Sequence, residues 1–192
     1  MADDYSVLAE RHLHICRRFG NEVSTVGDRW HSQSPCGAWD ARGVLEHVIG
    51  FHDVLLLRPL GAKPQRPKDD PVGRWMAAAQ ALEGVFERPG LFDGIVDIPP
   101  IGNNPPSQIY AAQVVPLLSR DVLIHTWDIG RSAGHEITLD PEVCRSFLEG
   151  LPPDIDVLAA SGLYDMPKGP PAGADNQALL LARLGRDPTW SP

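Results

Sequence analysis

A chain of 192 residues, 43% hydrophobic and 22% charged, is long enough for one domain with its own core. Its formal net charge of −8 argues against a nucleic-acid footprint, which needs clustered Lys and Arg, and against docking on an anionic membrane. No apolar run reaches span length, and the acidic start Met1-Ala2-Asp3-Asp4 lacks the basic end and apolar stretch of a signal peptide, so a cytoplasmic protein is expected.

The first segment predicts an amphipathic helix. Leu8, His12, Ile15, Phe19, Val23, Val26 and Trp30 recur at steps of three and four, with Asp3 or Asp4 placed to cap its start. The turn chemistry of Ser32 to Gly37 ends it. A second helix follows Asp40 as N-cap and carries Val44, His47, Val48, Phe51 and Leu55 on one face, failing near Pro59 and Gly61. After a loop rich in Pro and Lys, a third helix opens at Pro71 and buries Val72, Trp75, Met76, Ala79, Leu82 and Phe86 before Pro89-Gly90 stops it. Residues 91–106 suit a short hairpin or an irregular lid, with Ile95, Val96 and Ile98 extended between proline pairs. A fourth helix spans about Ser107 to Ala133, with Pro116 expected to kink it or mark a join, and Gly134 ends it. Asp140-Pro141 caps a short helix to about Glu149, residues 152–175 are mostly loop, and Asn176 to Leu184 is a last short helix.

Four main helices without alternating strands predict a mainly all-α fold, a four-helix bundle with a short extended or hairpin insertion and a short C-terminal helical tail. No repeat or boundary divides the chain, so residues 1–192 read as one domain, with a bundle core over about 3–135 and a tail over 136–192. Cys16, Cys36 and Cys144 are odd in number and form no Cys-x-x-Cys pair, so they are expected as free thiols. Cys16 and Cys144 read as small buried hydrophobes, whereas Cys36 sits in a turn and is more open to a role.

The informative stretch is Arg120 to Asp128. Asp121 and His125 are four residues apart and share a helical face with Leu118 and Val114. A carboxylate and an imidazole on an apolar face need a partner, because burying them unpaired is costly. A helix salt bridge between them would satisfy both, and so would ligation of one metal ion. His47, between Val44 and Phe51, is alone a satisfied core histidine. Crossing helices could instead bring it opposite the Asp121 and His125 pair. Two imidazoles and one carboxylate would then leave open coordination positions, the pattern of a catalytic metal site, and this set also suits non-haem iron.

The run Ser34-Pro35-Cys36-Gly37-Ala38-Trp39-Asp40 through Glu46-His47-Val48-Ile49-Gly50 resembles the first-histidine motif of the DinB-like superfamily, and more narrowly of the branch that includes mycothiol-dependent maleylpyruvate isomerase. The run Asp121-Val122-Leu123-Ile124-His125-Thr126-Trp127-Asp128-Ile129 resembles that branch's second motif, and Leu184-Gly185-Arg186-Asp187-Pro188 is similar to the tail of many short actinobacterial members. The resemblance implies a DinB-like four-helix bundle holding one divalent metal, commonly zinc, on His47, Asp121 and His125. The isomerase carries Glu where this chain has Asp121, one methylene shorter, and has a distinct C-terminal domain where a Pro/Gly-rich tail follows here. These departures bear on the substrate more than on the metal.

Asp128, three residues past His125, is placed to orient that ring or to hold a surface charge. Trp39 and Trp127 flank the ligands as core or as substrate platforms, and Arg131 could meet an anionic substrate or simply the helix dipole. His12 could line the cavity or pack in the core, and His52, five past His47, is expected at the surface or an interface. The leading expectation is a metal-dependent enzyme using a small thiol, mycothiol by resemblance, as transferase or isomerase on a small electrophilic substrate. A thiol-independent Lewis-acid cyclase, lyase or hydrolase, and a metal or ligand binder without turnover, are the alternatives. The expected partner is a small molecule rather than nucleic acid or membrane, and a homodimer is left open.

Overall fold

A computed structural model describes residues 2–192, with side chains from residue 5 onward. Seven helices and one two-stranded sheet make up the described residues: α1 (Ala2–Thr25), α2 (Ala41–His52), α3 (Pro71–Phe86), β1 (Ile95–Ile98), β2 (Ser107–Tyr110), α4 (Ala111–Ser132), α5 (Pro141–Glu149), α6 (Asp156–Ala160) and α7 (Asn176–Arg183). The fold is therefore mainly helical, as the periodicity predicts. None of the helices is long and apolar enough to cross a membrane among the described residues.

Local chemistry explains most of the starts. The side chains of Asp40, Asp70, Asp140 and Asp175 each accept a backbone N–H in the first turn of the helix they precede. Pro71 and Pro141 sit at the first turn, where a missing N–H is harmless. The capping role expected of Asp3 or Asp4 falls on side chains outside the described residues.

Several boundaries differ from expectation. α1 stops at Thr25 rather than reaching Trp30, because Gly27 takes a left-handed φ of 63° and turns the chain into a short 3-10 segment at Arg29–His31. The fourth helix begins at Ala111, four residues later than expected, because Ser107–Tyr110 pairs antiparallel with Ile95–Ile98. Of the two forms expected for 91–106, the hairpin is the one adopted. Pro116 does not divide α4, which runs unbroken past it. Beyond α2 the chain widens into a π turn over Asp53–Leu57, where the buried Asp53 carboxylate is held by Arg58 at 2.5 Å and by Arg66 from the following loop.

α4 is the central element. It packs against α1 and α2, and α3 closes over α1 and α2. Phe19, Leu45, Leu82, Leu118 and Val122 are fully buried where these helices meet. Truncating one such leucine to alanine costs about 2–5 kcal/mol, so this core holds the two site-bearing helices in fixed register. The tail is not a loose appendage: α5 packs on α7, and Arg183 donates to the Pro152 carbonyl at 2.5 Å. The hairpin tip also reaches the tail, with Asn103 N donating to Ser161 O at 2.8 Å and Asn103 Nδ2 to Ala160 O at 3.0 Å.

Candidate metal centre

His47 lies on the face of α2 turned toward α4, and Asp121 and His125 lie one turn apart on α4. The structure brings the three together, with one ligand atom from each within 4.8 Å of the others. His47 Nε2 is 3.1 Å and His125 Nε2 3.5 Å from Asp121 Oδ1. Donor atoms bound to one ion at about 2.0–2.2 Å stand roughly 3.0–3.5 Å apart, so the spacing of each imidazole from the carboxylate is that of ligands sharing an ion. The other carboxylate oxygen, Asp121 Oδ2, is buried with no hydrogen-bond partner among the described residues. An orphaned carboxylate oxygen carries a full desolvation penalty, and a cation beside it removes that penalty. The residues present therefore fit a bound metal ion.

The orientation of His125 is fixed from behind. Its Nδ1 donates to Asp128 Oδ2 at 2.9 Å, which leaves Nε2 as the atom facing His47 and Asp121. Asp128 is fully buried and is itself held by Arg186, whose Nε and Nη2 donate to its oxygens at 3.0–3.2 Å. Of the two roles open to Asp128, the structure assigns orientation of the ring. Arg186 comes from the tail just past α7, placed by Gly185 at φ 83°. A Cβ there would lie 2.9 Å from the Asp165 carbonyl, so both the backbone angle and the space require glycine. Gly185→Ala is expected to displace Arg186 and lower metal affinity about tenfold or more, as loss of an outer-shell partner does, and titration with a chromophoric chelator checks this.

Trp39 stacks on His47 at a centroid distance of 4.4 Å and Phe51 stacks at 5.3 Å, so the half-buried imidazole is held between rings. The cluster opens on a cavity of about 200 Å³ lined by Cys36, Trp39, Tyr164, Asp165 and Arg186 as well as the three ligands. Trp39 thus faces the site as well as packing beside it. Trp127 does not: it is buried in the core. Arg131 is also turned away, bonding the His135 and Trp190 carbonyls and pairing with Glu136, so the substrate role open to it is not supported. His12 does not line this cavity and is buried elsewhere in the core. His52, expected at the surface, is fully buried. Rotation off the His47 face points it inward toward α1 rather than outward, because α2 is covered on more than one side.

Three contributors escape sequence reasoning. Tyr164 and Asp165 sit in a Pro/Gly-rich loop without periodicity, and Arg186 looks like an ordinary tail charge. The one available signal is glycine before arginine at 185–186. The hairpin does not line the cavity; its tip instead clamps residues 160–161, next to the Gly162–Asp165 stretch that does.

Burial works against the charge on His125, but the carboxylates of Asp121 and Asp128 outweigh it and push its pKa up to about 9 in the metal-free protein. Burial likewise opposes charge on Asp121 and Asp128, yet the histidines and Arg186 hold both below the usual carboxylate range. The stabilising contribution of His125 is full below its unfolded value of about 6.5 and is lost as pH rises. That of the carboxylates is present above about 4 and is lost as pH falls. Metal-free protein is therefore expected to melt progressively lower as pH is raised from about 6.5 to about 9. Metal affinity runs the opposite way, since His125 must release its proton to bind. Thermal melts of chelator-treated protein across this window check the point; a melting temperature that holds or rises would contradict it.

The described fold and site define a mainly helical protein with a two-histidine, one-carboxylate group able to hold a metal ion. Two uncharacterized proteins of Mycobacterium tuberculosis, from strains CDC 1551 and H37Rv, are each 30% identical to it over 119 residues. The match takes in 60% of this chain, and the chain spans 61% of the length of these relatives. No protein-family profile matches the chain, and no solved structure matches it.

Proposed function

We propose that the protein is a DinB-like four-helix-bundle enzyme that holds one divalent ion, zinc by preference, on His47, Asp121 and His125. It would use a small thiol such as mycothiol to attack an electrophilic substrate, as a transferase or an isomerase. The observation that carries this reading is the Asp121 carboxylate beside a cavity, whose Oδ1 meets two imidazole Nε2 atoms while its buried Oδ2 has no partner among the described residues. Three protein ligands leave positions open for a reactant, as catalytic rather than structural sites do.

A divalent ion held there supplies a positive charge that keeps a bound thiol in its thiolate form at neutral pH. The chain's own residues do the rest. Arg186 and Asp128 keep His125 Nε2 turned to the site. Trp39 walls one side and limits water. Tyr164 accepts from Arg120 Nε at 3.1 Å, which leaves its own phenolic proton free to donate, and burial raises its pKa so that the proton stays on. A cavity of about 200 Å³ admits the reacting ends of two molecules rather than a whole large thiol, whose remainder would extend outward past Asp165.

Turnover of maleylpyruvate and of simple electrophiles, with and without mycothiol, tests this reading. Thiol-dependent turnover lost in His125→Ala supports it. Equal turnover without thiol would replace it with a Lewis-acid enzyme, and recovery of every ligand unchanged would replace it with a binding protein. Tyr164→Phe is expected to lower kcat by about 100-fold with metal content unchanged, the scale of one positioned proton donor.

A further inference from the structure

A second set of ligating side chains lies in the core. His12 and Cys16, one turn apart on α1, and His52 at the end of α2 are all buried, and one ligand atom from each lies within 4.8 Å of the others. His12 Nε2 is 3.4 Å from Cys16 Sγ and 3.2 Å from His52 Nε2.

Outer hydrogen bonds decide which nitrogens carry protons. The Val48 carbonyl accepts from His52 Nδ1 at 2.7 Å, so His52 Nε2 presents a lone pair. Ser119 Oγ donates to the Val115 carbonyl at 2.7 Å and so accepts from His12 Nδ1 at 3.0 Å. His12 Nε2 is then a lone pair as well. Two lone pairs facing each other at 3.2 Å repel, and a proton placed between them makes an imidazolium in a dry core. A cation between them removes the repulsion. A backbone carbonyl on the far ring nitrogen, as Val48 O is on His52, is also how proteins orient metal-binding histidines. Immediately after His52 the helix widens into the π turn at Asp53–Leu57, a distortion that recurs at functional sites.

We propose that His12, Cys16 and His52 form a second metal site, for a thiophilic d10 ion, separate from the His47–Asp121–His125 centre. Both imidazoles enter as neutral ligands, the Cys16 thiol proton leaves to solvent, and no electron is transferred. The described residues supply three donors in full burial. Copper(I) suits three soft donors and leaves the cluster with no net charge, whereas a divalent ion leaves one positive charge in the core. Cys16 forms part of the wall of a groove of about 1150 Å³ between α1 and α3, which gives an ion its route in.

Cobalt(II) and, under anaerobic conditions, copper(I) held against a chromophoric chelator are the probes. The expected result is a thiolate-to-metal charge-transfer band or one chelator-resistant copper(I). Either signal should persist in His125→Ala and in Cys36→Ser, and weaken at least ~100-fold in Cys16→Ser, since losing a ligand exceeds the cost of losing its outer-shell partner. His52→Gln gives an independent route to the same loss, and circular dichroism of each metal-free variant verifies folding. Absence of both signals in the wild type, or their survival in Cys16→Ser and His52→Gln, would overturn the site. His12, Cys16 and His52 would then be a buried polar cluster that holds no ion. Because the readout persists without His125, its failure is distinct from failure of the thiol-enzyme reading.

Discussion

Arg186→Ala is expected to lower the melting temperature by ~6–20 °C. The guanidinium holds the fully buried Asp128 through three contacts of 3.0–3.2 Å, and among the described residues no other cation is bonded to that carboxylate except His125 when protonated. Breaking one side of a buried ion pair costs about 3–5 kcal/mol, because the remaining charge stays desolvated. In a chain of this length each kcal/mol moves the melting temperature by about 2–4 °C. Arg186→Lys should recover only part of the loss, since an ammonium cannot reproduce the fork on both carboxylate oxygens. The double replacement Arg186→Met with Asp128→Leu should be more stable than Arg186→Ala, because it leaves no unpaired charge. Melts of the three variants read these effects directly. A fall of under 2 °C for Arg186→Ala would mean that Asp128 is not anchored from the tail.

Asp121→Asn should have the largest effect on the site itself. The amide keeps the shape but removes the charge that meets His47 and His125 at 3.1 and 3.5 Å. Metal affinity is expected to fall by more than ~100-fold, beyond the 10–100-fold typical of outer-shell loss. In metal-free protein the His125 pKa should drop from about 9 toward the ordinary histidine range, because Asp121 is the main group raising it. Ring-proton NMR titrations follow that shift. An unchanged His125 titration would mean that Asp128 alone sustains its charge.

Much of this was legible in the residues. Apolar spacing locates α1 to α4, and Asp40, Pro71 and Asp140-Pro141 act as caps and first-turn residues as expected, while Asp70 and Asp175 cap α3 and α7 in the same way. The i, i+4 spacing places Asp121 and His125 on one face because helical faces can be computed from sequence, whereas His47 joins them through the packing of α2 on α4, which the family resemblance implies. What escaped was tertiary. His52 looks exposed on a helical wheel drawn for one buried face, but α2 is covered on two. Arg186 and Tyr164 reach the site only through the folding back of a segment with no periodic pattern, which local propensity does not describe. The pairing of Ser107–Tyr110 with Ile95–Ile98 likewise overrides a stretch that reads as the start of a helix.

The most direct test of the central claim is metal content by mass spectrometry, on protein purified without a metal-affinity tag, compared with His125→Ala. The wild type should carry about one equivalent of a divalent ion more than the variant, a loss expected when one of three ligands is removed. Equal metal content in the two proteins, before and after incubation with excess zinc, would contradict it, and His47, Asp121 and His125 would then be a buried ion-pair cluster.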